Sequence, residues 1–186
     1  MMLLISALAV MPSIAAAQQP QPGGRGRGPT PTAPPAATIH SDLLKDWTGM
    51  KDMIVKIANE MPPDKFGFKS TPAQRSYGEH VLHIAQVNML LLPALGARTP
   101  APQIDLKAAT KADMIKAMAD SFDYGTAAIK EFDNKTIQDT VEAAFMGPST
   151  RARIIYFLVG HTWDTYGQMA VYLRLNGRVP PASQTP

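Results

Sequence analysis

Between Leu43 and Met61 the apolar residues Leu43, Trp47, Met50, Ile54, Ile57 and Met61 recur at alternating spacings of four and three. At 3.6 residues per turn that rhythm forms one seam along a helix, and the seam must be buried against something. Ser41 reads as the N-cap, and Pro62 with Pro63 ends the segment because neither ring can donate to the helical ladder. A second helix is announced by Ser76 and Glu79 as a capping box and runs through "YGEHVLHIAQVNMLLL" to about Leu92, ahead of Pro93 and Gly96. Thr110 with Asp113 repeats the capping pattern, and Met114, Met118, Phe122, Gly125, Ile129 and Phe132 carry a third stripe. The fourth starts near Thr150, uses Ile154, Leu158, His161, Thr165, Gln168 and Tyr172, and runs to Asn176 with Gly177 as its stop, about 40 Å of helix. Residues 133–149 form a long connection in which "TVEAAFMG" reads as an irregular extended piece. Four amphipathic helices without a strand pattern predict an all-α four-helix bundle, and the long connections leave helix order open.

What precedes the first helix is of a different character. Residues 1–17, "MMLLISALAVMPSIAAA", are uncharged, apolar from Leu3 to Met11 and end in small residues, as a secretory signal peptide cleaved after Ala17 would. No basic residue precedes the apolar run, and an uncleaved anchor is the competing reading. Residues 18–38 are Gln, Pro, Gly and Arg with almost nothing to bury, hence a disordered linker, and 39–186 form the folded domain. The expected location is periplasmic or secreted, with no membrane span in the mature chain. The formal charge of +3 falls to about +1 once Arg25 and Arg27 of the linker are set aside, which is no electrostatic footprint for nucleic acid. The chain has no cysteine, so thiolate chemistry and disulfides are excluded.

The fourth helix carries the informative polarity, because its stripe begins apolar and turns polar at His161, Thr165 and Gln168. Polar groups on a core face need partners, and this row is either an interhelical hydrogen-bond layer or the wall of a pocket or metal site. The second helix offers His80 and His83, three residues apart and about 60° round the helix from each other. His83 lies in the apolar part of its segment, His80 nearer the exposed start, and His40 reads as linker. Asp120, Asp123, Glu131 and Asp133 read as one solvated face. There is no phosphate-cradling glycine loop or nucleophile elbow, and most of the methionines outside the signal fall on helical stripes as core filling.

The blocks "MPPDKFGFKSTPAQRSYGEHVLHIA" and "HTWDTYGQMAVYLRLNGRVPP" together resemble the DinB-like, or YfiT-like, four-helix-bundle superfamily over most of residues 41–181. That resemblance implies a divalent metal, zinc or nickel, bound by one histidine of the second helix and two at H-x-x-x-H spacing in the last. Carried over by position, His83 matches the first and His161 the second, but the third falls on Thr165, a poor ligand for zinc. Asp164 and His80 are the candidate substitutes for the third ligand. Some relatives act as thiol transferases or isomerases, a reading that export disfavours, and some form homodimers.

Two functions follow from this. One is an exported DinB-like protein with a partly degenerate site, the old pocket binding a small molecule or another protein. The other is a metal-dependent hydrolase or transferase in which His83, His161 and a substitute ligand hold the ion, Asp164 serving alternatively as general base and Gln168 orienting substrate.

Overall fold

The structure is a computed structural model that describes residues 36–184. The segment read as a signal peptide and nearly all of the linker lie outside the described residues.

The first helix, α1 (Ile39–Glu60), starts before Ser41. Its N-cap is Thr38, whose Oγ1 accepts the Ser41 N–H at 3.1 Å while Ser41 Oγ accepts the Thr38 N–H at 2.8 Å. Ser41 thus takes the place of the glutamate in a capping box, and the sequence reading assigned it to the wrong half of the motif. His40 consequently lies in the first turn and not in a linker, with Nε2 3.0 Å from the Ile129 carbonyl oxygen. Helix α2 (Tyr77–Leu91) begins as predicted, with Ser76 and Glu79 closing a reciprocal capping box. Helix α3 (Lys111–Lys130) is capped by Thr110, but the Asp113 carboxylate accepts from the Thr110 hydroxyl at 2.6 Å. Aspartate is one methylene shorter than glutamate, and here it closes no reciprocal box with the N-cap backbone.

The extended piece after α3 is a small antiparallel hairpin of β1 (Thr140–Ala143) and β2 (Gly147–Thr150), with Thr140 opposite Thr150 and Ala143 opposite Gly147. Thr150 then caps α4 (Arg151–Leu175). Gly177 ends α4 in the left-handed region at φ 68°, Arg178 N–H bonding the Leu173 carbonyl at 2.9 Å and Gly177 N–H that of Arg174 at 3.1 Å. These two bonds form a Schellman cap, the geometry that the glycine stop predicts.

Helices α1 and α2 each pack on α3 and α4, so that α1 faces α2, and α3 faces α4, across the bundle. Trp47, Met50, Ile54, Ile57 and Met61 of the first stripe are all buried, and Trp47 fills the centre against Phe122, to whose carbonyl its indole N–H donates at 3.0 Å. Gly125 makes room for that ring, since a Cβ there would stand 2.7 Å from Trp47 Cε2 and overlap Cζ2. Four of the six residues of the predicted α4 stripe are buried, and at His161 and Gln168 the following residue, Thr162 or Met169, is the buried one. Ile154, Ile155, Leu158, Thr162, Thr165, Met169, Tyr172 and Leu173 are buried, while Gln168 is only half-buried.

One surface feature departs from expectation. Glu131 is not a solvated carboxylate: it accepts from the N–H groups of Arg98 and Thr99 at 2.8 and 2.7 Å and from the Thr99 hydroxyl at 2.6 Å. These donors hold it well below the usual carboxylate range, at about 2. Arg151 anchors the start of α4, donating to the carbonyls of Leu95 and Thr136, each at 2.8 Å, and stacking on Phe132 with its guanidinium carbon 4.6 Å from the ring centre.

Candidate histidine site between helices two and four

His83 of α2 and His161 of α4 meet across the bundle with their Nε2 atoms 3.2 Å apart and their rings 71° to one another. At this distance one Nε2 carries the proton and the other accepts it. His161 Nδ1 is buried and has no partner, whereas Gln86 lies beside His83. A bare lone pair is less costly to bury than an unpartnered N–H, which makes His161 Nε2 the donor and places the second proton on His83 Nδ1.

Both rings are held neutral. Burial, then the neighbouring His83, pushes His161 down to about 4, with Arg75 acting in the same direction and Asp164 opposing. Burial and then Arg75 lower His83. One face of His161 stacks on Phe157, 6.4 Å between centres and 16° from parallel, and Phe145 of the hairpin turn meets Phe157 edge-on at 5.6 Å.

The three other residues proposed around an ion go elsewhere. Thr165 is buried at 2% exposure, but its hydroxyl donates to the His161 carbonyl at 3.0 Å, the back-bond typical of threonine inside a helix. Asp164 is exposed and accepts from Gln168 Nε2 at 2.8 Å. His80, expected near solvent, is 2% exposed, with its ring edge-on to Tyr172 at 5.2 Å and Nε2 unpartnered. Tyr172 is fixed there by donating its hydroxyl to the Arg75 carbonyl at 2.8 Å, and it closes the first turns of α2 from solvent. Among the described residues no three histidine, aspartate or glutamate side chains converge on one point.

Phe157 could have been found in the sequence, standing one turn before His161 on the same helix face. Arg75 and Tyr172 could not be assigned, because their roles depend on how the chain before α2 crosses α4. Two hollows flank the pair. A groove of about 320 Å³ opens on His161 between Met146, Arg153, Tyr156, Phe157 and Gly160. A larger one, about 440 Å³, lies between residues 69–75 and α2; it contains Arg75, Glu79 and Gln86 but neither histidine of the pair.

The sequence model of the DinB superfamily matches residues 46–169, from the first helix through most of the last. The chain belongs to the DinB superfamily. Members of the DinB superfamily are generally metal-associated. The fold is similar to that of a DinB-like protein from Bacillus cereus, with TM-score 0.62 and 21% identity over 77% of this chain and 96% of that one. A DinB-like protein from Bacillus subtilis is similar at TM-score 0.61 and 14% identity, over 77% of this chain and 99% of its own. No curated protein matches the chain significantly. The matched span includes both His83 and His161.

Proposed function

We propose that this chain is an exported DinB-superfamily protein whose metal centre is reduced to a neutral histidine pair, and that the pocket beside the pair binds a small molecule. The observation that carries this reading is the third position: Thr165 offers there only a neutral hydroxyl, held by its bond to the His161 carbonyl on its own helix, and a neutral hydroxyl is a poor ligand for zinc.

The donor set fits the ion the superfamily implies only in part. Two imidazole nitrogens on one tetrahedral zinc would stand about 3.3 Å apart, close to the spacing of His83 and His161, which supports the alternative metal-dependent reading at two points of attachment. The remaining features do not fit. A resident ion requires a third protein donor, and Asp164 is turned to Gln168. Metal-bound imidazoles are oriented by an acceptor on their second nitrogen, and His161 Nδ1 has none.

Elemental analysis of the purified protein, after exposure to zinc and to nickel and removal of free ions, tests this reading against the His83→Ala, His161→Ala double variant. Negligible metal in both is expected. One equivalent retained by the native chain and lost by the double variant would overturn the proposal in favour of the metal-dependent hydrolase or transferase.

A further inference from the structure

The groove on the far side of His161 has a composition unlike the rest of the surface. Tyr156 at its rim is 72% exposed and Phe145 above it is 65% exposed, while Phe157 forms its inner wall against the His161 ring. Apolar rings left this open beside a cavity mark a surface that gains by being covered. Gly160 forms part of the floor, and a Cβ built on it meets nothing within 4 Å, so the space over it is free to hold ligand atoms.

The one charge in the groove is Arg153, whose guanidinium donates to the Ser149 hydroxyl and pairs with no carboxylate among the described residues. No acidic side chain lines the groove. The larger hollow beside α2 is different, because its Lys69 is already paired with Glu79 at 3.4 Å. A cation without a counter-charge at the edge of an aromatic slot selects a planar apolar body with an anionic end, since the guanidinium fork matches a carboxylate and the ring faces match an aromatic group.

We infer that the groove formed by Tyr156, Phe157, Gly160 and Arg153 binds a small aromatic carboxylate, its ring on the phenyl faces and its carboxylate on Arg153, with one edge against His161. The site's size is at the small end of the range for small-molecule pockets. The inference rests on the reading that the His83–His161 pair faces a ligand pocket, and it supplies the ligand's chemical class.

The test is isothermal titration, with amide chemical shifts as a second readout, using benzoate as the probe and benzamide and acetate as arms lacking the charge and the ring. Benzoate is expected to bind saturably below about 10 mM and to shift the amides of residues 153–161, while either control binds at least about tenfold more weakly. Arg153→Gln should weaken benzoate by about tenfold and leave benzamide unchanged, because it removes a charged hydrogen-bond donor and no ring contact. Gly160→Leu should abolish binding by filling the groove; leucine is the better helix former, so an unchanged or higher Tm shows that the loss is not one of folding. Equal binding of benzoate and benzamide, full binding by Gly160→Leu, or no saturation by benzoate would each overturn the inference. Metal content decides the preceding proposal separately: zinc bound to a chain that also takes up benzoate sinks that proposal and leaves this one standing.

Discussion

Acid should destabilise this bundle well above the range in which carboxylates titrate, and His161 is the reason. Its folded value is about 4 against 6.5 for a free imidazole. Between those values the unfolded chain binds a proton that the folded chain refuses, so stability rises with pH through this interval and is lost as pH falls through 6.5. Integration for this one ring gives about 2 kcal/mol lost by about pH 5, and its partial contact with solvent reduces that to about 1–2 kcal/mol. His83 and His80 are lowered in the same direction and add to the loss. Around His161 stand His83 from α2, Arg75 ahead of α2, and Asp164 and Phe157 from its own helix; only Asp164 favours the charged ring. Glu131, Glu79 and Asp133 are depressed too, but they act below the ordinary carboxylate values and leave the interval above about pH 5 to the histidines. The assay is urea unfolding by far-ultraviolet circular dichroism at fixed ionic strength with chelator present, at about pH 7.5, 6.5, 5.8 and 5. His161→Gln should be less stable at the highest pH and flatter below it by about 1–2 kcal/mol. Parallel curves for the two proteins would refute the assignment of the acid loss to this ring.

Two further perturbations bear on the packing that positions the site. Gly125→Ala replaces a poor helix former with the best one, yet its methyl overlaps the Trp47 indole, so a net loss of about 2 kcal/mol is expected in thermal unfolding; an increase in stability would show that Trp47 is free to move. Asn88 is fully buried with Oδ1 unpartnered and Nδ2 donating to Ser121 at 3.0 Å, while Ser121 keeps its own bond to the Met118 carbonyl at 2.6 Å. Asn88→Leu therefore removes an orphaned acceptor and leaves Ser121 still donating to Met118 though no longer accepting, and a change between zero and about +1 kcal/mol is expected in urea unfolding. A loss above about 1 kcal/mol would instead make the Asn88–Ser121 pair a net stabiliser of the α2–α3 contact.

The helices were legible because each stripe had a single periodic answer, and three of the four N-caps were correctly placed by their side chains. The first was misplaced because Thr38 and Ser41 both have capping chemistry, and only backbone geometry at Thr38, φ −130° and ψ 159°, decides between them. The fourth stripe was one residue off at two of its six positions, His161 and Gln168, for a similar reason. Gln168 and Thr165 are equally polar in sequence, and only the back-bond of Thr165 lets it sit fully inside. The pairing of His83 with His161 followed from the resemblance and not from spacing, since 78 residues separate them. The burial of His80 could not be read at all, because its cover is Tyr172, placed by a hydrogen bond to the chain ahead of α2.

On the proposed reading Thr165 leaves the site stable without an ion, and a single substitution tests that proposal from both sides. Its hydroxyl is satisfied by its own helix, and His83 and His161 satisfy one another, so the interface between α2 and α4 carries no charge that needs a cation. Thr165→His would place a third, larger imidazole at a position 2% exposed and packed around a threonine. In the presence of chelator that variant should lose about 1–3 kcal/mol, the cost of overpacking a buried site. Three nitrogens would then be available to one ion, and binding to the folded chain alone must return stability as free zinc exceeds its dissociation constant, by about 2.7 kcal/mol at a hundredfold excess. Melting curves of native and variant protein with chelator and with graded zinc measure both terms. The native chain should show neither the loss nor the recovery; zinc stabilising the native chain as strongly as the variant would mean that His83 and His161 never gave up their ion.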